Sequence, residues 1–258
     1  MTAFVLVSGG YTGGWIWREV AALLRQRGHT PLPVTLTGMG DRRHLAGPDT
    51  DLETHIEDIV QVLEHEDVRD AVLVGHCYGL LPVLGAADRR ADRVGSLVYL
   101  DTGMPQDGDA GVDVMPDPAV RDRLLGRATE CGGGRFLPPP SLEDEEVWGD
   151  LTGVAPADRA RMERLAAPQP LGTLTRPLRL TGAAAALPST GVFCTANGPG
   201  IAVLEALLAT GDPRYAVLAE PRVGYFDLET GHYPMLSRPG ELTDVLIRAA
   251  AGEGRRLG

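Results

Sequence analysis

Short apolar runs alternate with amphipathic stretches along most of the 258-residue chain. Continuous apolar runs of about four to eight residues are typical of strands buried in a parallel sheet. Such runs occur at 3–8, 31–40 (where a strand would lead into a loop), 70–75, 94–101, 190–195 and 223–229. Apolar residues three and four positions apart predict helices at 14–29, 51–66, 200–210 and 238–251, and another from about Tyr78. Strands that alternate with helices favour an α/β fold with a doubly wound, mostly parallel sheet.

The alternation breaks between residues 106 and about 185. This stretch contains "PQDGDAG", "CGGGRFLPPPS" and the acidic run "EDEE". A structureless segment of this length is unusual inside a compact domain, and a short helical pattern at 156–165 indicates an inserted, mainly helical lid. We therefore predict a single domain over 1–258, with a core at 1–105 and 186–258 and a lid at about 106–185.

The charge of the chain argues against several kinds of partner. The formal net charge is -11, so a nucleic acid backbone would be repelled and an anionic membrane would find no basic face. The three cysteines have no metal-ligand spacing and no disulfide pattern, so we expect no metal and no cofactor. The N-terminus lacks the features of a signal peptide, which favours the cytoplasm. A homodimer remains open.

The segment "GHCYG" at 75–79 carries the first candidate for chemistry. It joins a predicted strand to a predicted helix, and Gly75 and Gly79 stand two positions either side of Cys77. The same spacing around a serine forms the nucleophile elbow of many hydrolases. A helix N-terminus would lower the pKa of a thiol at this point. Cys77 is therefore the predicted nucleophile, and the alternative is a buried cysteine beside two incidental glycines.

A base and an acid should follow in the chain. His232 comes after the strand at 223–229 and before the last helix, so we expect it to be the general base. His76 should point elsewhere, and solvent exposure is expected for the remaining histidines, at 29, 44, 55 and 65. The third member is Asp101 or Asn197, each at a strand end. A carboxylate would also stabilise the imidazolium, which favours Asp101.

Two backbone N–H groups are expected to form an oxyanion hole. One belongs to Tyr78, directly after the candidate nucleophile, and the other to Gly10 in the turn after the first strand. That turn lacks the GxGxxG spacing of a dinucleotide site. The residues predicted to line an apolar cavity for an acyl group are Tyr11, Trp15, Met104 and Tyr233.

Taken together, these residues resemble the α/β-hydrolase superfamily, and within it the branch of plant methylesterases, hydroxynitrile lyases and their bacterial relatives. The matching segments include "FVLVSGGYTGGWIW", "LTGMGDRRHL", "LVGHCYG", "LVYLDTGMPQDG", "PQPLGTLTRPLRLTG" and "TGHYPMLSRP". The resemblance implies an α/β-hydrolase fold. It also implies an acid at the position of Asp101, because bacterial relatives often lack an acid after the strand at 190–195.

The chain also departs from this family pattern. Cys77 stands where the family has serine, Ser8 where it usually has histidine, and Leu80 where it usually has a second glycine. The lyases that cleave cyanohydrins carry threonine at the position of Gly9 and lysine at that of Tyr233. Both groups are missing, so cyanohydrin cleavage is not expected.

These observations predict an enzyme of acyl chemistry with a Cys-His-Asp triad. It would cleave an ester, thioester or lactone, or transfer an acyl group, on an apolar small-molecule substrate resembling a natural product. Two alternatives remain: a lyase or cyclase that uses His232 only as a base, and a non-catalytic ligand-binding protein on the same fold.

Overall fold

Six parallel strands form the central sheet of the protein, which is described here from a computed structural model of residues 1–113, 115 and 117–258. The strands of the protein are β1 (Ala3–Val7), β2 (Thr30–Val34), β3 (Ala71–His76), β4 (Val94–Leu100), β5 (Phe136–Leu137), β6 (Gln169–Pro170), β7 (Ser189–Cys194) and β8 (Val223–Leu228). The order across the central sheet is β2-β1-β3-β4-β7-β8, and β5 and β6 form a separate antiparallel pair. The predicted parallel α/β sheet is confirmed.

Helices cover both faces of this sheet, which explains why its inner strands are continuously apolar. The helices are α1 (Arg18–Gln26), α2 (Leu52–His65), α3 (Leu80–Arg89), α4 (Pro118–Cys131), α5 (Glu145–Trp148), α6 (Pro156–Leu165), α7 (Gly172–Thr175), α8 (Ile201–Ala209), α9 (Pro234–Ser237) and α10 (Pro239–Ala250). Helix α1 packs against α10, and α2 packs against α3. None of the helices in the described part of the chain has the length and apolar character that crossing a bilayer requires.

The register of the sheet brings the carboxyl ends of four strands to one edge. Val7 of β1 pairs with Gly75 of β3, and His76 of β3 pairs with Leu100 of β4. Leu100 in turn pairs with Val192 of β7. Residues that follow these strands therefore meet at the same edge, although they are far apart in the chain.

The connection between β4 and β7 is much longer than the other connections in the sheet. It contains α4, α5, α6 and α7 together with the small β5–β6 pair. We refer to residues 102–188 as the lid segment. It reaches the carboxyl edge of the sheet at two points, because Gly149 lies against His232 and Gln169 lies against Gly10.

Candidate active site

Cys77 lies in the turn after β3 and has a strained backbone conformation. Cys77 has φ of +51°, a left-handed conformation that non-glycine residues seldom adopt. A Cβ on Gly75 would lie 2.5 Å from Leu80 Cα, and one on Gly79 would lie 2.6 Å from the carbonyl oxygen of Ser8. Both glycines are needed because backbone approaches them closely, which accounts for the G-x-C-x-G spacing.

Unusual backbone geometry gathers at this edge of the sheet. Among the described residues, five that are not glycine have positive φ, and three of them are Tyr11, Cys77 and Asp101. Each of these three follows a strand end, and Asp101 has φ of +49°. Strained conformations persist where the surrounding structure imposes them, and they cluster at functional sites.

His232 lies between Asp101 and Cys77. Its Nδ1 is 2.6 Å from Asp101 Oδ2, and the same side chain adjoins the Cys77 thiol closely enough for each to shift the pKa of the other. Because a carboxylate only accepts hydrogen bonds, Nδ1 carries a proton and donates it to Asp101. The structure therefore brings together the three residues predicted for the triad.

Asn197 contacts the same group without replacing Asp101. Its Nδ2 donates to Asp101 Oδ2 at 2.7 Å and lies 3.2 Å from His232 Nδ1. Since Nδ1 and Nδ2 are both donors, the second contact is not a hydrogen bond. The Oδ1 atom of Asn197 accepts the backbone N–H of Asp150 at 2.7 Å, so Asn197 connects Asp101 to the lid segment.

The electrostatics of this cluster favour a thiolate beside an imidazolium. Burial by itself would raise the pKa of Cys77, but the charge and hydrogen bond of His232 and the N–H of Tyr78 bring it below the ordinary thiol value. Burial by itself would lower the pKa of His232, but the Cys77 thiolate and the hydrogen bond to Asp101 raise it above the ordinary value. The two groups titrate as a pair.

Asp101 stays ionised despite its position. Burial alone would raise the pKa of this carboxyl, but the hydrogen bond and charge of His232 and the N–H of Cys194 hold it below its usual value. That N–H donates to Asp101 Oδ1 at 2.9 Å. Both carboxylate oxygens thus have donors, which is what a buried charge requires.

His76 supports the site from behind. Its Nε2 donates to the backbone carbonyl of His232 at 2.8 Å. Burial, aided by the charge of His232, lowers the pKa of His76 to about 3, so the ring is neutral and holds a single proton. The His76 side chain makes this hydrogen bond away from Cys77, as the sequence predicts. That the bond goes to the His232 carbonyl is not predicted by the sequence.

The expectation that His55 is solvated is wrong. It is 0% exposed, and its Nε2 donates to the carbonyl of Thr37 at 2.8 Å. Burial lowers the pKa of His55 to about 4, so the ring is neutral and Nδ1 carries no proton. The hydroxyl of Tyr78 therefore donates to Nδ1 at 2.7 Å. A sequence signal existed, because His55 stands three residues after Leu52 and four before Ile59, on the apolar face of α2.

The glycine turn after β1 lies directly against the elbow. A Cβ on Gly9 would be 2.9 Å from Cys77 Cβ, and one on Gly10 would be 2.8 Å from Gln169 Oε1. Thr12 holds the turn by donating its hydroxyl to the Gly9 carbonyl at 3.0 Å. Gly10 and Tyr78, the predicted oxyanion residues, both line the cavity above Cys77.

That cavity has a volume of about 530 Å³ and lies between the sheet edge and the lid segment. Tyr11 and Tyr233 line it as predicted, together with apolar residues of the lid. Two predicted lining residues lie elsewhere. Trp15 stacks under the guanidinium of Arg161, whose Cζ lies 4.8 Å from the centre of the Trp15 ring. Met104 packs against the separate apolar cluster around Tyr225, although its neighbours Gly103 and Pro105 line the cavity.

Comparisons with known proteins identify the family of this chain. The alpha/beta hydrolase family model matches residues 4–245. The chain is 36% identical over 255 residues to a carbendazim hydrolyzing esterase of Nocardioides sp. (strain SG-4G), covering 95% of this chain and 98% of that protein. It is 26% identical to methylesterase 9 of Arabidopsis thaliana, covering 97% of this chain and 98% of that one.

Solved structures agree on the fold. An extracellular alpha/beta-hydrolase from a Paenibacillus species has a TM-score of 0.75 at 20% identity, covering 96% of this chain and 99% of its own. Tomato methylketone synthase I has a TM-score of 0.74 at 19% identity, covering 97% and 98%. Because the family model spans nearly the whole chain, the protein belongs to the alpha/beta hydrolase family.

Proposed function

We propose that the protein hydrolyses small uncharged esters or thioesters through a covalent intermediate on Cys77, with His232 as acid and base and Asp101 as its orienting carboxylate. The observation that carries this proposal is the position of His232, whose Nδ1 lies 2.6 Å from Asp101 and whose ring adjoins the Cys77 thiol, beneath a cavity. A nucleophile, a base and a group that orients the base are the elements that covalent catalysis requires.

The first half of the reaction transfers the acyl group to sulfur. The Cys77 thiolate attacks the carbonyl carbon, a C–S bond forms, and the carbonyl electron pair moves onto oxygen. The backbone N–H groups of Gly10 and Tyr78 would stabilise this oxyanion. As the intermediate collapses, the bond to the leaving oxygen or sulfur breaks, and the imidazolium of His232 donates its Nε2 proton to the leaving atom.

The second half releases the acid. Neutral His232 removes a proton from a water molecule, whose oxygen attacks the thioester carbon. The C–S bond then breaks, the carboxylic acid leaves, and the thiolate and imidazolium are restored. Asp101 stabilises the imidazolium in both halves. Its carboxylate accepts a hydrogen bond from Nδ1, and the proton stays on the ring.

The cavity supports a small, largely apolar acyl group. Its volume of about 530 Å³ suits a single small molecule, and Leu81, Val120, Leu124 and Leu174 contribute apolar surface. The relatives named as a carbendazim hydrolyzing esterase and as methylesterases make small esters the first substrates to test. A reducing compartment such as the cytoplasm would keep Cys77 as a thiol.

The test is the covalent intermediate. Incubation with a panel of phenyl esters, followed by rapid acid quenching and intact-mass measurement, should show one acyl adduct that peptide mapping assigns to Cys77. Cys77→Ala should show neither adduct nor turnover, whereas the matched variant Cys131→Ala on the surface of α4 should retain both. Full turnover by Cys77→Ala would contradict covalent catalysis and favour His232 acting as a base alone.

A further inference from the structure

Gln169 is a buried polar residue in the wall of the cavity. It takes no part in the proposed acylation and deacylation. It belongs to β6 in the lid segment, is 1% exposed and lines the cavity beside Cys77. Its Oε1 lies against Gly10, where an added Cβ would be only 2.8 Å away. The amide oxygen is therefore next to one of the two proposed oxyanion donors.

The orientation of the Gln169 amide is fixed by its neighbours. Nε2 donates to Thr173 Oγ1 at 3.0 Å, and the Thr173 hydroxyl itself donates to the Pro170 carbonyl at 2.7 Å. Since the only hydroxyl proton of Thr173 is used, its oxygen can serve Gln169 only as an acceptor. Rotating the amide by half a turn would require the Thr173 hydroxyl to give up the Pro170 carbonyl, so the hydrogen bonds present favour Oε1 facing Gly10.

In this orientation Oε1 is an acceptor without a donor. None of the described residues donates a hydrogen bond to it. Tyr78 lines the cavity, but its hydroxyl proton is engaged by His55 Nδ1. A buried acceptor is costly to leave unpaired once water is displaced, so a bound molecule should bring its own N–H or O–H group.

The charges around the cavity indicate what kind of molecule that is. Among the described residues that line it, none is arginine, whereas Asp117, Glu145 and Glu146 all contribute. An anionic acyl group would be repelled by these carboxylates, and the imidazolium of His232, which also lines the cavity, is already paired with Asp101 and Cys77. The cavity is thus suited to an uncharged ligand that donates hydrogen bonds.

We infer that Gln169 is a specificity-determining residue that accepts a hydrogen bond from an N–H or O–H group on the acyl part of the substrate, within two bonds of the reacting carbonyl. The distance follows from the contact between Oε1 and Gly10, because the carbonyl oxygen is proposed to sit beside Gly10. This inference rests on the proposed hydrolysis, and it adds the substrate class: uncharged esters that carry a hydrogen-bond donor beside the ester carbonyl.

Two nearly isosteric substrates test it. In N-benzoylglycine phenyl ester an N–H group stands next to the α-carbon, and in phenyl 4-oxo-4-phenylbutanoate a CH₂ group replaces that N–H. We expect the wild-type protein to prefer the first by about 10-fold or more in kcat/KM, because a site built to accept a hydrogen bond discriminates against a ligand without the donor. The ratio should approach one in Gln169→Met, which keeps the length of the side chain but not the acceptor.

The ratio of the two substrates in one protein sample is insensitive to the fraction that folds. As a matched control, Gln61→Met on the exposed face of α2 should keep the wild-type ratio. Equal kcat/KM for both esters in the wild-type protein would overturn the inference, and so would an unchanged preference in Gln169→Met. Acyl adducts on Cys77 with both esters but no preference would contradict only the role of Gln169, whereas no adduct with either would contradict the proposed function itself.

Discussion

Two cysteines lie at the carboxyl edge of the same sheet and behave in opposite ways. Cys77 follows β3, and Cys194 is the last residue of β7. Burial, assisted by the charge of Asp101 and a hydrogen bond to it, raises the pKa of Cys194 far above the ordinary value, so it remains a thiol. Burial acts on Cys77 in the same direction, yet its pKa is lowered because His232 and the Tyr78 N–H outweigh it.

The difference shows that the sign of the nearest charge decides which thiol ionises. Cys194 adjoins the carboxylate of Asp101, whereas Cys77 adjoins the imidazolium that this carboxylate stabilises. A single ion pair therefore keeps one thiol neutral and favours the thiolate form of the other. Access differs as well, because Cys77 lines the cavity and Cys194 is fully buried.

Removing His232 should abolish the difference in pKa between these thiols. In His232→Ala only burial, the Tyr78 N–H and Asp101 act on Cys77, so its pKa should rise and thiolate alkylation by iodoacetamide should need a higher pH. Ester turnover should fall by about 10³-fold, since general acid–base catalysis contributes on this scale. The pH profile of alkylation, followed by mass spectrometry, measures the first effect. An unchanged midpoint would contradict the ion pair.

Replacing the carboxylate should weaken the site while leaving its shape intact. In Asp101→Asn the imidazolium loses its stabilising charge, and we expect kcat to fall by about 10²-fold or more. The pKa of Cys194 should fall but stay above the ordinary value, because the charge of Asp101 is gone whereas the burial of the thiol remains. Thiol titration of the unfolded and native variant would reveal this shift. Retention of wild-type kcat would mean that Asn197 suffices to orient His232.

In the native protein the two thiols should differ in reactivity. At pH 7 we expect iodoacetamide to modify Cys77 at least about 100-fold faster than Cys194, because thiolate fraction and access both favour Cys77. Cys131 on the surface provides a solvent-exposed thiol for comparison. Below the folded pKa of Cys77 its own rate should fall as the thiolate is protonated, whereas the ratio of the Cys77 rate to the Cys194 rate should persist, because the lower pKa and the better access still favour Cys77. Timed peptide mapping measures all three rates, and equal rates for Cys77 and Cys194 would refute the comparison.

Loss of the support behind Asp101 should have a smaller effect. Asn197→Ala removes one donor to the carboxylate and the acceptor for the Asp150 N–H, so we expect kcat to fall by about 10-fold. KM should change less, because Asn197 is proposed to act through Asp101 rather than on substrate. Steady-state kinetics separate the two constants. A change confined to KM would assign Asn197 to substrate binding instead.

The mildest change is at Cys194 itself. Cys194→Ala removes a thiol that remains protonated, so kcat/KM should stay within a factor of about three, with a cost in stability of about 1 kcal/mol from the small cavity left behind. Denaturant unfolding and ester turnover measure the two effects. A large loss of turnover with normal stability would show that the protonated thiol contributes to catalysis through Asp101.

Local patterns predicted the parts of this site that local backbone geometry determines. The apolar run and the two glycines around Cys77 predicted the strand, the turn and the residue at its apex, because crowding at Gly75 and Gly79 involves neighbours within the turn and the adjacent strand. The expected exposure of His55 is wrong, although its place among the apolar positions of α2 indicates burial. Trp15 and Met104 were misplaced because aromatic and apolar character does not distinguish core from cavity.

Gln169 lay beyond prediction from local patterns. It stands in a two-residue strand within an irregular segment, and its importance comes from contact with Gly10, more than 150 positions earlier. Nothing in its immediate neighbours indicates burial or an unpaired acceptor.

The amino-acid sequence by itself determined the order of strands and helices outside the lid segment, the turn at Cys77 and the strand ends where His232 and Asp101 would be found. Only the tertiary structure decided that Asp101 rather than Asn197 accepts the hydrogen bond from His232 Nδ1, that Asn197 connects the carboxylate to the lid segment, and which thiol is ionised. The physical reason is that hydrogen bonds and charges act over a few ångströms of space, and Asp101 and His232 are 131 residues apart in the chain.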